Sequence, residues 1–122
     1  MPSNLREKML REMEKKEIFA QVQNYAFEYA DKAGERNVFP TDVAIADLGK
    51  FAEALPQRTG DATETLKLLN KYGAPATVAQ TGGRYFGFVD GGVIPAALAA
   101  RLLADFWDQN TALYAMSPLA SK

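Results

Sequence analysis

The chain has no cysteine and no histidine. Without cysteine there is no disulfide, no thiolate nucleophile and no Cys-based zinc or iron–sulfur site. Without histidine the commonest general base and the usual metal ligand are absent, and with them every Ser-His-Asp and Cys-His arrangement. Neither sign of charge is in excess: 14 basic residues stand against 15 acidic ones, for a formal net charge of -1. That balance gives no support for nucleic-acid or membrane-surface binding. No apolar run is long enough to span a membrane, and Met1-Pro2-Ser3-Asn4 opens no apolar leader. A cytoplasmic protein is the expectation.

What is present is globular composition, 48% hydrophobic and 24% charged over 122 residues. That length suits one domain rather than two. Residues 5–33 contain no proline and no glycine, which predicts one long helix. Ser3 or Asn4 is placed to cap it, with Glu7 three residues after Asn4. Its apolar stripe runs Leu5, Met9, Met13, then takes a five-residue step to Ile18, Val22, Tyr25 and Tyr29. Glu7–Arg11 and Glu12–Lys16 are i,i+4 pairs, each worth about 0.2–0.5 kcal/mol. Four acids lie among the five bases of residues 6–17, so this is a solvated face, not a nucleic-acid face. So polar a segment is barely stable alone and needs a partner for its Leu5, Met9 and Met13 stripe.

Pro40 pushes Phe39 toward extended geometry. Thr41 or Asp42 then caps a helix expected to reach about Leu55, where Pro56 stops it. Asp61 and Glu64 form a second capping-box spacing before a helix expected over 62–72 and ended by Gly73.

At Gly73 the composition shifts. Only six charged residues occupy 73–122: Arg84, Asp90, Arg101, Asp105, Asp108 and Lys122. A stretch of that length with so few charges cannot cover itself with polar surface, so an apolar patch seeking another chain or domain is expected. Residues 84–89 read as a short extended run, and Asp90-Gly91-Gly92 as a tight turn whose amides could approach a ligand. Pro95 opens a helix expected over 95–110, with small alanines on its faces and Leu98, Leu102, Leu103, Phe106 and Trp107 filling the rest. Ser117-Pro118 marks a turn or a new cap. Asp105 and Asp108, i,i+3 on one helix, make a weak metal signal with no third ligand nearby. Neither Gly82-Gly83 nor Gly91-Gly92 has dinucleotide or P-loop spacing. The residues alone describe a mainly α module, with little or no strand, that completes something larger.

Arg84-Tyr85-Phe86-Gly87-Phe88-Val89-Asp90-Gly91-Gly92, followed by Pro95-Ala96-Ala97-Leu98-Ala99-Ala100, Trp107-Asp108-Gln109-Asn110 and Ser117-Pro118-Leu119-Ala120, resembles the N-terminal region of the group II pyridoxal-phosphate-dependent decarboxylases. These are fold-type I enzymes that include the aromatic amino acid, glutamate and tyrosine decarboxylases. Val38-Phe39-Pro40, Leu55-Pro56 and Gly73-Ala74-Pro75 fit the segment before that block. The likeness covers roughly residues 20–122 and is most specific over 84–118. It implies a long N-terminal helix over 1–35 acting as a dimerisation arm. It also implies a helical segment over 36–122 that precedes a large cofactor-binding domain absent from this chain. It places Phe86 and Phe88 at the substrate pocket and Asp90, Gly91 and Gly92 at the turn that approaches pyridoxal 5'-phosphate. It places the catalytic lysine, the aspartate on the pyridine nitrogen and the stacking histidine further along, outside this chain. The family usually carries His-Pro where this chain has Gly82 and Gly83, a departure at the substrate entrance. The expected function is therefore the dimer-forming, pocket-edge part of a lyase acting on an L-amino acid, inactive by itself. Its partner would be a second copy or the remaining large-domain chain. The alternative is a non-enzymatic helical interaction module or a decayed remnant of such an enzyme.

Overall fold

Asn4 starts the first helix by accepting the amide of Arg6 on its side chain, 3.1 Å away. The computed structural model describes residues 4–87, 89 and 91–122, so Ser3, the other candidate cap, lies outside them. Among the described residues the protein is mainly α, with five α-helices and no strand: α1 Leu5–Lys15, α2 Glu17–Lys32, α3 Asp42–Asp47, α4 Ala62–Leu68 and α5 Pro95–Trp107. The chain divides into two units, Met1–Gly91 and Gly92–Lys122.

The single helix expected over 5–33 is broken at Lys16. That residue is left-handed, with φ 58°, and closes α1 by donating its amide to Glu12 O while its own carbonyl starts α2 by accepting from Phe19 and Ala20. The break falls inside the five-residue step of the apolar stripe. Such a step turns a straight helix by about 140°, carrying Ile18 off the Met13 side. Breaking at Lys16 frees α2 to set Ile18, Gln21, Tyr25 and Tyr29, all half-buried, along one stripe of its own. Lys16 lies outside the helical run, so its expected pairing with Glu12 does not form and its ammonium donates to Glu14 O instead. The Glu7–Arg11 pair does form, at 4.0 Å between exposed side chains. A lysine in left-handed geometry costs about 1–2 kcal/mol. Lys16→Gly is therefore expected to raise stability by about 1 kcal/mol in urea denaturation. In an unbroken helix the same change would lower it by about 1 kcal/mol.

Thr41 caps α3 through its hydroxyl, which accepts from Ala44 N. The helix tightens into a 3-10 turn over Leu48–Phe51 and stops there, short of the expected Leu55. Asp61 caps α4 by accepting from Glu64 N at 3.1 Å. Glu64 does not reach back to complete the box; its carboxylate lies 3.8 Å from Lys67. The helix widens into a π turn over Leu69–Gly73 and re-tightens over Ala74–Ala76. Gly73 thus does not end the helix as a left-handed cap. It keeps helical geometry, φ -79°, and a Cβ there would lie 3.3 Å from Leu69 Cδ1 and 3.8 Å from Phe51 Cζ.

Among the described residues of the first unit only small ones are buried: Ala33, Ala44, Ala79 and Pro40. In the second unit α5 starts on Pro95 and ends at Asp108, φ 49°, short of the expected residue 110. The fully buried residue there is Ser117, whose hydroxyl bonds Gln109 Oε1 at 2.9 Å. Its carbonyl accepts from Ser121 N, so Ser117-Pro118 does open a new turn. A compact monomer of 13.4 kDa exposes about 6,500 Å², and two separately compact units of these lengths about 7,600 Å². This chain exposes 10372 Å². The excess is surface that its own residues do not cover. No helix of the described residues is long and apolar enough to cross a membrane.

Candidate functional site

The segment leading to the predicted pocket edge is tied down by backbone contacts. Ala79 N donates to Val38 O at 2.8 Å, and Gly82 N and Tyr85 N continue the turn onto Ala79 O and Gly82 O. A Cβ on Gly82 would lie 2.7 Å from Ala33 O, a backbone atom that cannot swing aside. Glycine at this position, where the decarboxylase family usually carries His-Pro, is thus required by close approach to the end of α2. The turn is closed to any side chain there.

Arg36 anchors the same region and was not singled out in the sequence. Its guanidinium donates to Ala74 O (3.0 Å), Thr77 Oγ1 (3.1 Å), Pro75 O (3.1 Å) and Thr77 O (2.9 Å). It also lies 5.1 Å over the Tyr29 ring, and the Tyr29 hydroxyl bonds Thr77 Oγ1 at 2.8 Å. Arg84 in turn donates to Arg36 O. One half-buried arginine thus joins the end of α2 to the 74–77 turn and to the start of the resemblance block.

Within that block, Tyr85 is half-buried and its ring occupies the space over Gly87 and beside Gly91. Any side chain on Gly87 would displace the ring. Phe86 is 95% exposed, so it is not a core residue of this chain. Phe88 and Asp90 lie outside the described residues. The run expected to be extended forms no strand pairing among the described residues. Gly91 and Gly92 both have positive φ, 127° and 72°, the geometry for which a glycine pair is suited. They mark the boundary between the two units. Chemically this turn supplies backbone amides and space. Its described residues, Gly91 and Gly92, carry no side-chain amine to condense with pyridoxal phosphate, and its one acid, Asp90, lies outside the described residues.

A cavity of about 540 Å³ lies elsewhere in the first unit, lined in part by Tyr25, Glu28, Tyr29, Lys32, Arg36 and Lys71. Neither Phe86 nor Gly91 is among its lining residues. The spacing of Tyr25, Tyr29 and Lys32, four and three residues apart, was the available sequence signal for this face. Arg36 is already committed to carbonyl groups there. Asp105 and Asp108 gain no third partner: no group of three acidic or metal-ligating side chains occurs among the described residues.

No family model, no curated protein and no solved structure matches the chain.

Proposed function

We propose that this chain is the N-terminal, assembly-forming and pocket-edge segment of a pyridoxal-phosphate-dependent L-amino acid decarboxylase. One structural observation carries the assembly half. Large apolar side chains from Leu5 to Leu119 are exposed while, among the described residues, only alanines, a proline and a serine are buried. Such a chain is built to be covered. The decarboxylase half is supported by the 84–118 block, with Phe86 free of any core role and Gly91-Gly92 in the backbone geometry of a close-approach turn. In this reading the cofactor and its lysine belong to the large domain. Bound there, the cofactor supplies the electron sink that lets carbon dioxide leave. This chain supplies a wall and an interface.

The test is the reading frame that follows the chain. It is expected to encode a large domain with an aspartate and a His-Lys pair, and the two parts together should release carbon dioxide from an amino acid. Neither part should do so alone. A following frame without such residues, or visible absorbance of lysine-bound cofactor in the 122-residue chain alone, contradicts the reading. In the active assembly, Phe86→Ala is expected to change stability by less than about 0.5 kcal/mol. It should lower kcat/KM about tenfold through lost substrate contact. An unchanged kcat/KM would remove Phe86 from the pocket.

The second reading, a non-enzymatic helical interaction module, draws on the same exposed surface and needs no cofactor. A stop followed by unrelated sequence favours it.

A further inference from the structure

We propose that α5 pairs with α5 of a second copy of this chain, antiparallel, about a two-fold axis at the level of Leu103. This names the partner for the assembly role and rests on that half of the proposed function. It does not rest on the decarboxylase half.

The helix reads PAALAARLLADFW, and its only charges are Arg101 and Asp105. A helix apolar nearly all round belongs in an interior, yet every residue of α5 is exposed. Leu98 and Leu102 lie on one ridge, 56% and 60% exposed, with Ala99 beside them keeping the face low enough for two helix axes to approach closely.

The two charges choose the partner and its direction. Arg101 and Asp105 sit four residues apart on one flank of that ridge, while Ala99 and Phe106 occupy the other flank. Neither charge makes an ion pair among the described residues. When two identical helices run antiparallel, each flank faces its own counterpart in the opposite direction. With the axis at Leu103, Arg101 then faces Asp105 of the partner subunit, and the reciprocal pair forms by symmetry. Run parallel, the charged flank would face the Ala99 and Phe106 flank and bury both charges without partners, which is costly. A chemically different partner would have to supply a matching acid and base at that spacing; a second copy carries them already.

The area is consistent with a pair. The α5 face offers on the order of 400 Å² per copy, about 800 Å² in all, below the roughly 1,200–2,000 Å² of a stable specific interface. Val93, Ile94, Leu113, Tyr114 and Met116, each more than half exposed and in the same unit, are available to supply the remainder.

Sedimentation equilibrium of the 122-residue chain tests this. The unchanged chain is expected to dimerise. Arg101→Asp and Asp105→Arg should each weaken the dimer about tenfold by setting like charges opposite each other. Both substitutions in one chain should restore it, and so should an equimolar mixture of the two single variants. A variant that merely misfolds would not be rescued by mixing. The absence of native cysteine allows a second measurement. Leu102→Cys should cross-link to its copy with a short bismaleimide, whereas Leu98→Cys, about 15 Å from its counterpart along the axis, should not. Equal cross-linking at both positions means a parallel pair and overturns the proposal. So does failure of the mixture to restore the dimer, or a wild-type chain that stays monomeric at all concentrations. None of these outcomes bears on the following reading frame, so failure here and failure of the decarboxylase assignment are distinguishable.

Discussion

Replacing Arg36 with alanine is expected to lower the stability of the chain by about 2–4 kcal/mol. Four donated hydrogen bonds disappear with the guanidinium, from Ala74 O, Pro75 O, Thr77 O and Thr77 Oγ1. Hydrogen bonds from a charged donor contribute about 1.5–3 kcal/mol each when buried. Three of these four are exposed to competing water, which sets the smaller total. The Tyr29 ring also loses the cation stacked over it, about 0.5–1 kcal/mol at such a site. Arg36→Lys should recover only part of the loss, because an ammonium is one point charge and cannot span the three residues Ala74, Pro75 and Thr77 as the planar fork does. The effect is large for this chain because so little else is buried. Denaturant midpoints for wild type, Arg36→Ala and Arg36→Lys check it. A shift under about 0.5 kcal/mol for Arg36→Ala would show that the 74–77 turn is held by other contacts.

The second large effect is expected at Leu102. Leu102→Asp should weaken assembly at least a hundredfold, since it removes apolar area from the middle of the α5 face and buries an unpaired carboxylate there. Lys15→Ala, on the solvated side of α1, should leave assembly unchanged. The contrast matters because Leu102 is exposed in the isolated chain. A substitution at a side chain more than half exposed acts chiefly through what covers that surface. Concentration-dependent light scattering of both variants reads the difference, with circular dichroism to show that each remains helical. Equal behaviour of the two variants would mean that α5 is not an assembly surface.

Helix starts were the most legible part of the fold. Asn4, Thr41 and Asp61 each cap the helix expected of them, because a cap needs only a short polar side chain two or three residues from the amide it accepts. Helix interruptions were less legible. Lysine has no preference for left-handed geometry, so nothing in its chemistry marks Lys16. The trace was indirect, in the five-residue step of the apolar stripe. Gly73 shows the opposite failure: a glycine where a cap was expected serves close packing against Leu69 and Phe51 instead. Arg36 could not be found by local reading at all. Three of its four acceptors are main-chain oxygens and the fourth is the Thr77 hydroxyl, all some 38 to 41 residues away, and a carbonyl leaves no signature in the sequence. Of the proposed pocket edge, Phe86 is exposed and Gly91 and Gly92 have positive φ, while Phe88 and Asp90 lie outside the described residues. The six-charge composition of residues 73–122 was the clearest sign of an uncovered surface, because it depends on no local geometry.

The central claim is that this chain is a part whose apolar surface another chain covers. Sedimentation velocity of the 122-residue chain across a dilution series, run beside binding of a hydrophobic dye, tests it most directly. The expected result is a dimer that dissociates on dilution, with dye binding that rises as monomer appears. A compact monomer at every concentration, binding no dye, would contradict it.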